Sequence, residues 1–175
     1  MQMPRLIIVA GPNGSGKTSF ARELLSAAPA NYVFVNADEI ARVLRASGDD
    51  VVSVDFAAAR LMLGQIDDVI ANRRDLMFET TLATLTYLRK IPIWQAAGYT
   101  VGLIYLMLPN VEASIARVAR RVAAGGHSIP EVAIRQRFGR SLDCLEKLYK
   151  PIVNEWYVCD SLEGTIEIAE AWDDQ

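Results

Sequence analysis

The segment Arg5–Leu6–Ile7–Ile8–Val9–Ala10 runs straight into Gly11–Pro12–Asn13–Gly14–Ser15–Gly16–Lys17–Thr18. No other feature narrows the choice of fold as much. A short unbroken apolar run suits a strand buried on both faces, as in a parallel sheet. The residues after it fit GxxxxGK[ST], a phosphate-cradling loop between strand and helix. Glycines let the backbone N–H groups of Gly11 to Thr18 turn inward around phosphate oxygens without a Cβ clash. The helix that follows adds the partial positive charge of its N-terminus. Lys17 is expected to reach the β- and γ-phosphates of ATP, and the Thr18 hydroxyl to join a Mg²⁺ shell.

The rest of the chain agrees with a βα repeat. Apolar runs recur at Tyr32–Val35, Asp75–Phe78, Thr100–Leu108 and Trp156–Cys159. Between them lie helical spacings: Val111, Ile115, Val118 and Val122, then Phe138, Leu142, Leu145 and Leu148. A further helix is expected from about Val54. Gly125–Gly126 marks the end of one helix, and Pro130 suits the first position of the next. The expected fold is α/β: a doubly wound parallel sheet of about five strands with helices on both faces, the first strand central. With 175 residues and no linker or repeat, residues 1–175 are expected to form one domain.

Two carboxylates follow strands, where open α/β sheets bind ligands. Asp38 comes after the second strand, in Asn36–Ala37–Asp38–Glu39. It could accept the proton of an attacking hydroxyl. It could also be a first-turn acid behind an Asn36 cap, with Glu39 closing a capping box. Glu79 ends the third apolar run. It could hold Mg²⁺ through water or bond substrate hydroxyls, or it could simply precede a helix capped by Thr80 or Thr81. Arg117, Arg120 and Arg121 on one helix and Arg135, Arg137 and Arg140 on the next flank Gly125–Gly126–His127. Two arginine-bearing helices joined by a glycine hinge suit a lid that closes on a triphosphate.

Composition removes several alternatives. The net charge of −3 argues against a nucleic-acid partner, which calls for a basic excess. The most apolar stretch, Tyr99–Leu108, is half the ~20 residues a membrane helix needs. Cys144 and Cys159 form no metal-binding or disulfide pattern. A cytoplasmic location is expected.

Together GPNGSGKT, NADEIA at Asp38, FETTL at Glu79 and RRVAAGGHSIPEVAIRQRFGRSL from Arg120 resemble the zeta-toxin family of P-loop kinases. The resemblance covers nearly the whole chain. It implies transfer of the ATP γ-phosphate, with Mg²⁺, to a hydroxyl of a small acceptor, a UDP-N-acetylamino sugar in the best-known members. It carries over Lys17 as the phosphate-loop lysine, Asp38 as the general base, and Glu79 with Thr80 as acceptor-site residues. It assigns Arg121 and Arg137 to ATP, with Arg120, Arg135 and Arg140 open as alternatives. It also implies a small antitoxin protein as partner. The chain is short beside those toxins, which leaves a P-loop ATPase or switch acting on a partner as the alternative function.

Overall fold

The computed structural model describes residues 3–27, 32–46, 51–162 and 165–172. Residues 1–2 and 173–175, the outer ends of the expected 1–175 unit, lie outside them. The strands are β1 (Arg5–Ala10), β2 (Val33–Val35), β3 (Leu76–Thr80), β4 (Thr100–Met107), β5 (Glu155–Leu162) and β6 (Thr165–Ala171). The helices are α1 (Lys17–Ala27), α2 (Ala37–Ala46), α3 (Val51–Ala71), α4 (Thr86–Ala96), α5 (Val111–Ala123) and α6 (Glu131–Cys144). A π-helical turn, Leu145–Tyr149, continues α6.

The sheet order is β2-β3-β1-β4-β5-β6. β1 is interior, with Leu6 opposite Leu76 on one side and Val101 on the other. The first five strands pair in parallel, and β6 folds back antiparallel on β5. The sheet thus has six strands and is mixed, where five parallel strands were expected. The sixth, TIEIAEA, alternates Ile166 and Ile168 with Glu167 and Glu170, as suits an edge strand with one wet face.

The two faces are covered unequally. On one, alternate residues such as Leu6, Ile8, Phe78, Leu103 and Tyr105 pack against α3, α4 and the end of α6. Phe78 anchors this side, 4.9 Å from the Tyr87 ring and edge-on to Trp94 at 6.0 Å. On the other, Val9 and Met77 meet Ala21 and the flanking Phe20, Leu24 and Leu25 of α1. Beyond α1 this face stays open. A groove of about 520 Å³ runs between Phe20 and Glu23 of α1 and Ile104, Tyr157, Cys159 and Ile168.

Several local expectations change. α3 starts at Val51, earlier than Val54. Thr80 and Thr81 cap no helix: Thr80 Oγ1 accepts from the Leu82 amide, while α4 starts at Thr86. Pro130 sits just before α6 as its N-cap, not as its first residue. On α5, Ser114 and Val118 are buried and Val122 is exposed. The reason is that α5 lies against the loop after β1 as well as against apolar side chains. Its stripe toward the loop is therefore Ser114, Arg117 and Val118 at i, i+3 and i+4, with Arg121 at i+7 on the same side but exposed. Arg120 falls off that stripe. No described helix is long and apolar enough to cross a membrane.

Candidate active site

Everything of interest gathers at the carboxyl edge of the sheet. β1 ends at Ala10, and the loop Gly11–Gly16 wraps back to start α1 at Lys17. Gly11, Gly14 and Gly16 have φ of 140°, 80° and 88°, a region that side chains disfavour. At Gly11 the space is also closed, since a Cβ would lie 2.4 Å from the Leu106 carbonyl oxygen. Pro12 and Ser15 are buried, and Asn13 Oδ1 and Ser15 Oγ have no partner among the described residues. A phosphate-binding loop fits these observations: a concave backbone with no room for side chains and polar atoms left unmet.

Lys17 Nζ lies over the loop, donating to the carbonyls of Gly11 at 2.9 Å and Pro12 at 2.8 Å. Burial lowers its pKa to about 8, with Arg121 pulling the same way; the nearby carboxylates of Glu79 and Asp38 oppose this. Its burial and its two carbonyl contacts leave the ammonium ready to pair with an anion.

Glu79 is held inside β3, opposite Val9 of β1, rather than beyond the strand end. Its carboxylate is buried and accepts from Thr18 Oγ1 at 2.9 and 3.0 Å. It also accepts from Asn36 Nδ2. Burial raises its pKa, which the Thr18 hydrogen bond and Lys17 partly offset. Thr80, the next residue, points away from this cluster, its hydroxyl serving the Leu82 amide.

Asn36 follows directly on β2, and its Oδ1 accepts from the amides of Asp38 at 2.7 Å and Glu39 at 3.3 Å. That is the cap expected of it. The expected reciprocal bond from Glu39 is absent, because Glu39 pairs with Arg22 of α1 at 2.8 Å. Sequence reasoning treated Asn36 as a cap alone. Its second bond, to Glu79, joins residues 43 apart and follows from the β2–β3 register, with Val35 opposite Phe78. Asp38 is exposed on the first turn of α2, and its carboxylate makes no hydrogen bond or ion pair among the described residues.

The arginines sort by face. Arg121, whose charge is felt at Lys17, donates to the His127 carbonyl at 3.0 Å, across the Gly125–Gly126 turn. Arg137 is exposed and has no partner among the described residues; it lies one turn from Ile134 and Ser141, both buried. Arg135 is engaged elsewhere, with Glu131 at 2.8 Å and Glu112 at 3.0 Å. Arg117 is half-buried against the loop and bonds Ser161 of β5. Arg117 stood in the sequence as one of six lid arginines, not as a residue under the loop, and Ser161 did not stand out. Among the described residues that line the α1–β6 groove, Glu23 is the one charged side chain, whereas several charged and polar groups converge at the loop.

The chain matches the model of the zeta toxin family over residues 1–155. An uncharacterized protein of Haemophilus influenzae is 26% identical over 137 residues, 77% of this chain and 92% of the relative. A chain of the Pnkp1/Rnl/Hen1 RNA repair complex superposes with a TM-score of 0.69 at 23% identity, over 85% of this chain. The match covers 47% of that RNA repair chain, about half its length. A chain from the PezAT toxin–antitoxin system of Streptococcus pneumoniae superposes with a TM-score of 0.67 at 18% identity, over 97% of this chain and 72% of its own. The protein therefore belongs to the zeta toxin family and has the fold of the P-loop kinases.

Proposed function

We propose that the protein is an ATP-dependent kinase that phosphorylates a hydroxyl of a small acceptor, with Asp38 as the general base. The observation that carries this reading is the different state of three neighbouring carboxylates. Glu39 is spent on Arg22, and Glu79 is buried and held by Thr18 and Asn36. Asp38 alone is exposed and unpaired among the described residues, and its charge reaches Lys17.

ATP supplies the phosphoryl group, and Mg²⁺ offsets charge on its β- and γ-oxygens. The residues fit both. Backbone N–H groups of the Gly11–Thr18 loop, Pro12 having none, bind the phosphates, and Lys17 leaves its loop carbonyls to pair with them. The Thr18 hydroxyl donates its hydrogen bond to Glu79, so its oxygen lone pairs would be free to hold Mg²⁺, and Glu79 would support the metal through water. Asp38 takes the acceptor proton as the new O–P bond forms and the bond to the ADP oxygen breaks. Arg121 and Arg137 approach from α5 and α6 to meet the charge spread over the transferring group. The acceptor proposed for first trial is a UDP-N-acetylamino sugar, and a small antitoxin protein is the proposed partner.

The test is Asp38→Asn, which keeps shape and loses basicity. Transfer to UDP-N-acetylglucosamine, or to the acceptor that a metabolite panel yields, is followed by product mass. Transfer should fall by ~10²–10⁴-fold while ATP binding stays close to that of the parent. An unchanged rate removes Asp38 from the mechanism. Steady ATP hydrolysis that no acceptor alters overturns the kinase reading in favour of an ATPase.

A further inference from the structure

Five of the six carbonyls from Gly11 to Gly16 have identifiable partners among the described residues. Gly11 and Pro12 oxygens accept from Lys17, and the Gly16 oxygen accepts from the Phe20 amide. The Asn13 oxygen accepts from Ser114 Oγ of α5 at 2.5 Å, and the Ser15 oxygen from Ser161 Oγ of β5 at 2.8 Å. In a trans peptide the C=O and N–H point opposite ways. Fastening the Asn13 and Ser15 oxygens therefore fixes the Gly14 and Gly16 N–H groups in the opposite sense. Both glycines sit at positive φ, where little besides these ties would stop the plane from turning over. A carbonyl turned inward would face a phosphate with negative charge.

Ser161 is itself held. It is buried, and one guanidinium grips both its oxygens: Arg117 Nη1 donates to Oγ at 3.2 Å and Nη2 to the carbonyl at 2.8 Å. With Arg117 donating to it, the hydroxyl turns its own proton to Ser15. The arginine stem also lies under the loop, where a Cβ on Gly14 would be 2.9 Å from that of Arg117.

We propose that Arg117 and Ser161 are positioning residues that hold the Ser15–Gly16 peptide with its N–H toward bound phosphate, setting the affinity of the loop for a polyphosphate chain. The proposal rests on the loop being the nucleotide site and does not require any acceptor. It assigns Arg117 to the outer side of the loop, apart from Arg121 one turn further along α5.

The test measures binding of ATP and of inorganic tripolyphosphate to the full chain by calorimetry. Ser161→Ala should weaken both ligands by a similar ~3–10-fold, the worth of one hydrogen bond. Ser161→Thr, which keeps the donor, should recover most of that. Arg117→Met should weaken both by ~10-fold or more, because a charged bidentate contact is lost. Should Arg117→Met fail to fold, the two Ser161 variants decide. A loss for ATP with none for tripolyphosphate would mean that Arg117 serves the nucleoside, and the proposal falls. It also falls if affinities match the parent while thermal midpoints drop, or if Ser161→Thr binds no better than Ser161→Ala. A parent that binds nucleotide yet phosphorylates nothing would sink the kinase reading and leave this one standing.

Discussion

The phosphate loop and the segment that joins α5 to α6 are built in opposite ways. The loop is braced from three sides, by α1, α5 and β5, and its turns are glycines at positive φ. The segment from Ala123 to Pro130 is mostly exposed, its one positive φ is at Gly125, and a Cβ there would meet nothing within 4 Å. The arginines on either side of it differ: Arg121 has one bond and Arg137 none among the described residues, while Arg135 pairs with Glu131 and Glu112. A surface that must match phosphate before the ligand comes has to be rigid. One that must close over it afterwards gains from having little to break.

If that contrast is right, damage to the loop should show in binding and damage to the arginines in turnover. Lys17→Ala removes a charged contact to phosphate and should cost ~10²-fold or more in ATP affinity, at roughly 1.4 kcal/mol per tenfold. Its thermal midpoint should stay near that of the parent, since the side chain bonds only loop carbonyls. Binding equal to the parent would break the loop assignment. Arg121→Ala and Arg137→Ala should each lower kcat by ~10–10²-fold and change the Kd for ATP much less, because they stabilise charge that grows in the transition state. Arg135→Ala is the control: it removes exposed ion pairs to Glu131 and Glu112, and no effect on turnover is expected. Equal losses in Kd and kcat at Arg137 would put the arginines on the same footing as the loop.

The smallest effect is a pH dependence that separates the two regions. Lys17 titrates at about 8 in the free protein. Phosphate needs its charged form, so ATP affinity should hold below that pH and fall about tenfold by pH 9. Folding should respond with the opposite sign. The folded pKa lies below the ordinary value of 10.5, so the unfolded chain binds more protons between about 8 and 10.5. Stability of the nucleotide-free protein should therefore rise with pH across that window. Calorimetry in buffers of different ionisation enthalpy would register the proton taken up on binding near pH 8.5; no uptake would mean Lys17 is already charged in the free state.

What could be read in advance was what depends on neighbours in the chain. GPNGSGKT shows its loop because glycine spacing and the following helix are local, and Asn36 showed its cap for the same reason. β6 was missed: its Ile166–Glu167–Ile168 alternation is short, and only pairing with β5 makes a strand of it. The pairing of Asn36 with Glu79 depends on strand register. The role of Arg117 depends on β5 ending beside the loop. Among six arginines in a row of helical residues, spacing alone did not tell the one under the loop from those facing solvent.

The bracing of the loop also sets when the site can exist. Ser114 lies 101 residues from the Asn13 carbonyl it holds, and Ser161 lies 146 from Ser15. The motif is synthesised well before both of its anchors, Ser114 and Ser161. Until β5 docks beside β4, the loop is a glycine-rich turn with peptides free to rotate. Pairings this distant make for slow, late-closing assembly. Nucleotide capture is then a property of the finished chain, and a nascent or truncated one carries the signature without the grip.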